Sequence, residues 1–419
     1  MKKFTLLLFV LNICFADKHN YLKETATHIN ASKKPAVNKT TVKKQIPIMA
    51  FVGVPQHRET LARYYEMRDA GITLSYVPFL KADEVKPALD MAQKAGIKLF
   101  ISCPELISNP ETIVKRFMNH PAVAGYYLKD EPAKNEFSSL KVLVNKIKAI
   151  DKNHICYVNL LPTYAEANLL GTATYQAYLD SFIKEVPVPM LSFDHYPIIG
   201  NTNQSIRADW YNNLEMVAQT AKKYNKPFWA FALTTAFASY PLPTLATIRL
   251  QVYSDLAYGA QVIQYFTYWT ISDPNIDFHN AAITDDGKQT DVYQKVKQVS
   301  AEIKALSSVF YGAKMISVAH TGNVIPAGTK PLKQLPKPIL SLKTDGLGAI
   351  VSVLKNNGNT YLVVVNRDFV HPVNLTIKVK HGVNQLFKAG SSITQKSAVS
   401  NTKISAGDLA LYVWPDDLN

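Results

Sequence analysis

The decisive stretch is VAGYYLKDEP, residues Val123 to Pro132. It starts as a strand should, β-branched and aromatic, and ends on two adjacent carboxylates, Asp130 and Glu131, sealed by Pro132. Proline lacks the N–H that a central parallel strand must donate, so it marks where the strand gives way to its loop. Working outward, seven further runs have the same character: IMAFVGVP from Ile48, ITLSYVPF from Ile72, IKLFISCP from Ile97, ICYVNLLP from Ile155, MLSFDHYP from Met190, PFWAFALTT from Pro227 and QVIQYFTYW from Gln261. Amphipathic stretches separate them, among them RETLARYYEMRDAG, DEVKPALDMAQKAG and TLATIRLQVYSDLAYG, with Gly71, Gly96 and Gly259 as helix stops. Eight strand and helix units over residues 46–313 predict an α/β chain folded as a (β/α)8 TIM barrel. A doubly wound sheet shares the alternation, but no glycine-rich phosphate loop follows the first strand.

Beyond Gly312 the pattern changes to short period-two runs, AIVSVL, TYLVVVN, VNLTIKV and LALYVW, with turn signals at Asn357-Gly358 and Gly407-Asp408. Residues 314–419 are therefore expected to form a small antiparallel β-sandwich, with the prolines at 331, 336 and 338 in a loop. At the other end, Lys2 and Lys3, the apolar run Phe4 to Phe15 and the small residue Ala16 predict a secretory signal peptide over 1–16. That run is too short for about 30 Å of hydrocarbon, so no integral membrane span is expected. Lipid anchoring at Cys14 is an alternative that fits less well, because the preceding Ile13 is large. Residues 17–45, rich in lysine and poor in apolar side chains, read as a disordered basic linker. Export to the periplasm or the exterior is the expectation.

The two amino-terminal segments carry about half of the formal net charge of +14. The rest is dispersed, without the arginine-rich patch that nucleic-acid binding needs. Cys103 and Cys156 sit in apolar strand-like runs and are expected to be buried thiols. No His-x-x-x-His or Cys-x-x-Cys spacing points to a metal, and no Gly-x-Ser-x-Gly elbow or phosphate loop to other chemistry, so neither metal nor cofactor is expected.

Strand ends of a barrel converge on its carboxyl-terminal mouth, which is where catalytic groups collect. Asp130 and Glu131 would lie there on the fourth strand. Like charges in a water-poor setting raise the cost of ionising both, leaving one carboxyl protonated and able to act as an acid. The competing reading is that they only favour the next helix through its dipole. On the sixth strand, in SFDHYP, alternation sends Ser192, Asp194 and Tyr196 to one side and Phe193 and His195 to the other, so Asp194 would face the mouth. The other rim candidates for substrate binding are His57, Tyr76, Asn159, His195, Tyr196, Trp229, Gln264, Tyr268 and Trp269. Aromatic faces beside amides and hydroxyls suit a sugar, so a carbohydrate is the expected partner.

On GYYLKDEP, SFDHYP and the run RLQVYSDLAYGAQVIQYFTYW into the eighth strand, the chain resembles bacterial (β/α)8 glycoside hydrolases of the clan A type, related to the β-galactosidases and commonly carrying a carboxyl-terminal β-sandwich. The resemblance implies that Glu131 is the general acid/base; Asp130 stands where that clan has asparagine. The clan's nucleophile, a glutamate ending strand seven, has no counterpart in FWAFALTTA. Two schemes fill the gap. In one, Asp194 is the nucleophile or the base for water. In the other, the Asp-Glu pair is similar to that of family 20 and family 123 hexosaminidases, where Asp130 would hold a substrate acetamido group acting as internal nucleophile. A barrel that binds glycan without cleaving it is the third alternative.

Overall fold

The computed structural model of the chain describes residues 45–389 and 392–418. The expected signal peptide, Cys14 and nearly all of the basic linker lie outside the described residues. Eight parallel strands form the barrel: β1 (Ile48–Phe51), β2 (Leu74–Tyr76), β3 (Lys98–Ile101), β4 (Val123–Asp130), β5 (Ile155–Asn159), β6 (Leu191–Phe193), β7 (Phe228–Leu233) and β8 (Val262–Phe266). They pair in the order β5-β4-β3-β2-β1-β8-β7-β6. The ring closes where the Leu160 N–H donates to the Ser192 carbonyl at 2.8 Å. Each strand is followed by one of the helices α1 (Leu61–Asp69), α2 (Val85–Ala95), α3 (Pro110–Phe117), α4 (Phe137–Ile150), α5 (Tyr175–Glu185), α6 (Trp210–Lys223), α7 (Leu245–Tyr258) and α8 (Asp291–Ala305).

The strands read as apolar runs because both of their faces are covered. In β1, Met49 and Phe51 join the interior cluster with Tyr76, Phe100, Tyr127, Tyr157, Trp229, Phe231 and Phe266. Ile48 and Ala50 pack outward, in the layer shared with the helices. Helix ends follow the sequence signals: Gly96 and Gly259 cap α2 and α7 at φ +78° and +102°, and Thr60 and Thr244 accept backbone N–H bonds at the starts of α1 and α7. Gly125 has a different reason to be glycine: a Cβ there would come within 2.3 Å of the Ile155 carbonyl oxygen. The close approach of β4 to β5 therefore tolerates no side chain at that position. Cys103 and Cys156 are buried thiols. Among the described residues no helix is long and apolar enough to cross a membrane.

The carboxyl-terminal part holds more strands than the four runs legible in the sequence. They are β9 (Lys314–His320), β10 (Ile339–Thr344), β11 (Ala349–Asn356), β12 (Asn359–Asn366), β13 (Val373–Val379), β14 (Asn384–Ala389), β15 (Ser392–Ser397), β16 (Asn401–Ile404) and β17 (Leu409–Pro415). A six-stranded sheet, β9-β11-β12-β17-β14-β15, lies over a three-stranded one, β10-β13-β16. The additional strands are edge or half-exposed strands whose polar residues mask the period, as in SITQKS of β15. The expected turn at Asn357-Gly358 is a two-residue hairpin with φ +48° and +76°, the geometry of a type I′ turn.

Strand β12 is covered on both faces. Leu362 and Val364 point into the sandwich with Val351, Leu375 and Tyr412, whereas Tyr361, Val363 and Val365 join the barrel's outer core. A buried ionic cluster fastens the same junction. Glu302 of α8 accepts from Arg249 (Nε to Oε2, 3.1 Å) and from the Tyr253 hydroxyl, both on α7. Lys388 of β14 donates to the Tyr253 hydroxyl at 2.7 Å and pairs with Glu302 at 3.4 Å and with Asp408. Two cations balance two anions, and the cationic partners hold the Glu302 carboxyl down to about 2 against the opposing effect of its burial. Removing one member leaves an uncompensated buried charge. Lys388→Met should thus lower stability by about 3 kcal/mol, read as an earlier unfolding midpoint in urea by circular dichroism.

Candidate active site

The site grows from an irregularity in β4. Its pairing to β5 slips between Tyr127 and Lys129, so that Tyr127 faces Tyr157, Lys129 faces Val158 and Asp130 faces Asn159. Simple alternation from Tyr127 would turn Lys129 inward and Asp130 outward. The bulge reverses this. Lys129 instead pairs with Glu136 at 2.9 Å, away from the mouth, and Asp130 is delivered to the interior side of the rim, where water reaches it.

Glu131 follows in the left-handed region, at φ +45°. A side chain there, directly before a proline, is held against its local preference at a cost of about 1–2 kcal/mol. Neighbours hold it. The Glu131 N–H donates to the Asn159 carbonyl at 2.9 Å, and the Tyr178 hydroxyl donates to the Pro132 carbonyl at 2.7 Å. Backbone strain sustained in this way is characteristic of functional positions.

Beneath the rim lies a hydrogen-bonded chain of neutral groups. The Tyr157 hydroxyl donates to Gln264 Oε1 at 2.6 Å, Gln264 Nε2 donates to Ser192 Oγ at 3.0 Å, and Ser192 Oγ donates to Asn159 Oδ1 at 2.9 Å. The chain fixes which way the Asn159 amide points. Its Nδ2 then donates to Asp194 at 2.7 Å and to Asp130 at 3.3 Å. Asp194, only 5% exposed, lies close enough to the Glu131 carboxyl for each to perturb the other.

This crowding sets the electrostatics. Desolvation pushes the Glu131 carboxyl well up, and the charges of Asp194 and Asp130 add to it. The same burial raises Asp194 to about 7, with Asp130 pushing the same way and the Asn159 amide opposing. Asp130 is raised by desolvation too, while the Tyr127 hydroxyl, the Asn159 amide and Lys129 oppose. Water reaching Asp130 weakens that rise. The Tyr127 hydroxyl lies close enough to influence Asp130, yet it is buried without a well-formed hydrogen bond among the described residues. Three carboxyls this close cannot all be charged at neutral pH, and Glu131 is the one most strongly driven to keep its proton.

The expected rim residues divide into three groups. Asp130, Glu131, Asp194 and Asn159 come together as described, and Tyr76 and Tyr196 line the same interior. Tyr76 packs on Tyr127 with centroids 4.2 Å apart, and Tyr196 stacks on Phe266 at 5.3 Å. Gln264 and Trp229 lie below the mouth. Both polar ends of Gln264 are engaged in the chain of neutral groups, and Trp229 packs on Tyr157 at 5.3 Å. The structure does not bring the others to the carboxyls. His57 is exposed in a short helical turn at Gln56–Arg58. Tyr268 and Trp269 join the outer core, with Arg63 over the Trp269 ring at 5.5 Å. His195 points outward too, as alternation requires, with Nε2 3.1 Å from Asp209 and its ring against Tyr164 at 5.0 Å.

Glu131 and Asp194 were expected to face each other across the mouth, but only β5 separates β4 from β6. They are neighbours on one arc of the rim. Sequence reading missed Tyr164, Arg207 and Tyr240, the guanidinium lying over the two rings at 4.5 and 6.0 Å and Tyr240 packing on Tyr196 at 5.8 Å. Each sits in a loop after β5, β6 or β7, without a periodic signal. At the end of β7 there is no carboxylate. Thr234 donates to the Thr267 carbonyl at 2.9 Å and Thr235 to that of His279 at 3.1 Å. Loops after β7 and β8 pair there through Ala236 and His279 and pack Phe237 on Phe278 at 4.6 Å. Among the described residues no group of three or more His, Cys, Asp or Glu is arranged to hold a metal ion.

A family model described as β-galactosidase, Glyco_hydro_42, matches residues 144–306, from within α4 to just past α8. No curated protein matches the sequence. Among solved structures, the β-galactosidase of Bacillus circulans sp. alkalophilus is similar at 10% identity and TM-score 0.58, over 88% of this chain and 99% of that one. A catalytic mutant of a β-galactosidase from G. stearothermophilus gives 8% identity and TM-score 0.57, over 89% and 99%. The β-galactosidase of the psychrophilic Marinomonas ef1 gives 11% identity and TM-score 0.47, over 62% of this chain and 60% of that one. The chain thus spans less than two thirds of the Marinomonas enzyme's length. The family match covers part of the barrel, and at these identities the solved structures show a shared fold.

Because Asp194 binds its proton more tightly in the folded chain than the ordinary 3.8, folding stability falls as pH rises from about 4 through about 7. The full shift corresponds to an upper bound on the order of 4 kcal/mol. Asp194→Asn should therefore melt higher than the parent at pH 8 and close to it at pH 4, by differential scanning calorimetry.

Proposed function

We propose that the chain is an exported glycoside hydrolase that cleaves O-glycosidic bonds of a glycan, with Glu131 as general acid/base. The carrying observation is the pair Asp194 and Asp130 held on one amide, Asn159, at the carboxyl-terminal mouth, with Glu131 next in the chain and its N–H on the Asn159 carbonyl. A leaving oxygen entering between the Glu131 and Asp194 carboxyls accepts the Glu131 proton. Proton transfer to that oxygen lets the glycosidic bond break with both electrons on a neutral leaving group. Asp194, oriented by Asn159, is then the partner carboxylate, available as nucleophile or as the base for water. Tyr76 and Tyr196 supply apolar faces for the ring. Asp130 keeps the local potential negative, which stabilises positive charge developing at the anomeric carbon.

A second reading is supported by the Thr234 and Thr235 pair at the end of β7, where the clan's nucleophile would stand. In it the substrate's own acetamido oxygen attacks, Asp130 holds the acetamido N–H, and Glu131 remains the acid. Inhibition by a thiazoline mimic of the cyclised acetamido group separates the two.

The test is a screen of chromogenic glycosides followed by Glu131→Gln. The variant should lose at least a hundredfold in kcat on substrates with poor leaving groups. It should retain far more activity on a dinitrophenyl glycoside, which leaves without protonation. Equal activity of parent and variant on a poor leaving group would remove Glu131 from the mechanism. In the parent, kcat/KM should fall on the alkaline side as Glu131 loses its proton.

A further inference from the structure

At the mouth stands a cation that the chemistry above does not use. Arg207 closes a short hairpin after β6, Ile198–Ile199 paired with Ser205–Ile206, and its N–H returns to the Pro197 carbonyl at 2.8 Å. The hairpin follows directly on the SFDHYP stretch of β6 that carries Asp194. Its Cζ lies 4.5 Å from the Tyr164 ring centroid and 6.0 Å from that of Tyr240. Both tyrosines also feel the charge of Asp194, and Tyr164 that of Glu131 as well. Tyr240 in turn packs edge-on against Tyr196 of the barrel interior, centroids 5.8 Å apart and two residues beyond Asp194.

Its protein partners do not use it fully. Among the described residues no carboxylate lies within 4.0 Å of Arg207. The one side-chain hydrogen bond is long, from a terminal nitrogen to the Tyr240 hydroxyl at 3.5 Å, and Nε is buried without a partner. The neighbouring Asp209 is engaged elsewhere, by His195 at 3.1 Å and the Thr163 hydroxyl at 2.6 Å. A guanidinium offers five N–H donors in a planar fork that matches a carboxylate in two places. Stacking on tyrosine holds the plane in place and lowers the entropy lost when the fork is filled. A neutral sugar hydroxyl would need only one donor and no permanent charge.

We infer that Arg207, between Tyr164 and Tyr240, anchors an anionic subsite, so that the glycan cleaved here carries a hexuronic acid next to the scissile bond. This rests on the hydrolase reading for its place in catalysis, but the binding it describes can be measured without turnover. Full-length protein is titrated calorimetrically with D-glucuronate and D-galacturonate and with their methyl esters, which keep the ring and lose the charge. At least one uronate should bind ten- to a hundredfold more tightly than its ester, and the difference should shrink severalfold between 0.05 and about 0.5 M salt. In Arg207→Gln acid and ester should bind alike; in Arg207→Lys part of the preference should return, without the two-point fork.

Acid and ester binding equally to the parent overturns the proposal with no variant involved. So does a preference that survives Arg207→Gln. Sulfated monosaccharides preferred over uronates would likewise overturn the uronate assignment. The parent itself separates the two proposals: a uronate preference with no cleavage of any glycoside removes the hydrolase reading and leaves the subsite standing.

Discussion

The candidate site depends on one side-chain amide. Asn159 has two N–H groups, and they reach the carboxylates of Asp194 and Asp130. That is possible only because the amide is turned by a hydrogen bond accepted from Ser192, which is itself set by Gln264 and Tyr157. Every donor in this chain is neutral, so it orients the acids without neutralising them. The consequence is a rim that is electrostatically unfavourable by construction, in which a proton is retained because removing it would add another uncompensated charge.

Much of the architecture was legible because parallel strands covered on both faces leave long apolar runs and end on prolines. The rim was legible only in part. Period-two reasoning placed Ser192 and Asp194 on the inner face correctly, since β6 is regular. The same reasoning applied from Tyr127 along β4 would send Asp130 outward, because a bulge has no signature in VAGYYLKDEP. Tyr268 and Trp269 follow Phe266, which does face inward, yet beyond it the chain changes course and both pack outward. Tyr164, Arg207 and Tyr240 were invisible for a related reason: three loops bring them together, and loop geometry is not periodic.

The rim is also asymmetric. Its acids occupy the arc of β4 to β6, while the end of β7 is occupied by threonines and by paired loops carrying Phe237 and Phe278. Likeness to β-galactosidase barrels accounts for the frame but not for this distribution. At about 10% identity the frame is what such a comparison can carry. What sets this chain apart is the carboxyl cluster, with the Arg207 guanidinium held between tyrosines at the same mouth.

Strand β12 has no solvent face: alternate residues belong to the barrel's outer layer and to the sandwich. The sheet is a party wall. Apolar side chains of α7 that would meet water in a free-standing barrel are sealed by the second lobe instead, and charged groups from both lobes are locked together beside them. Heat or denaturant acting on either lobe strips the cover from the other. Loss of the β-rich lobe therefore reaches the mouth of the barrel indirectly, through a helix that begins only a few residues after Tyr240.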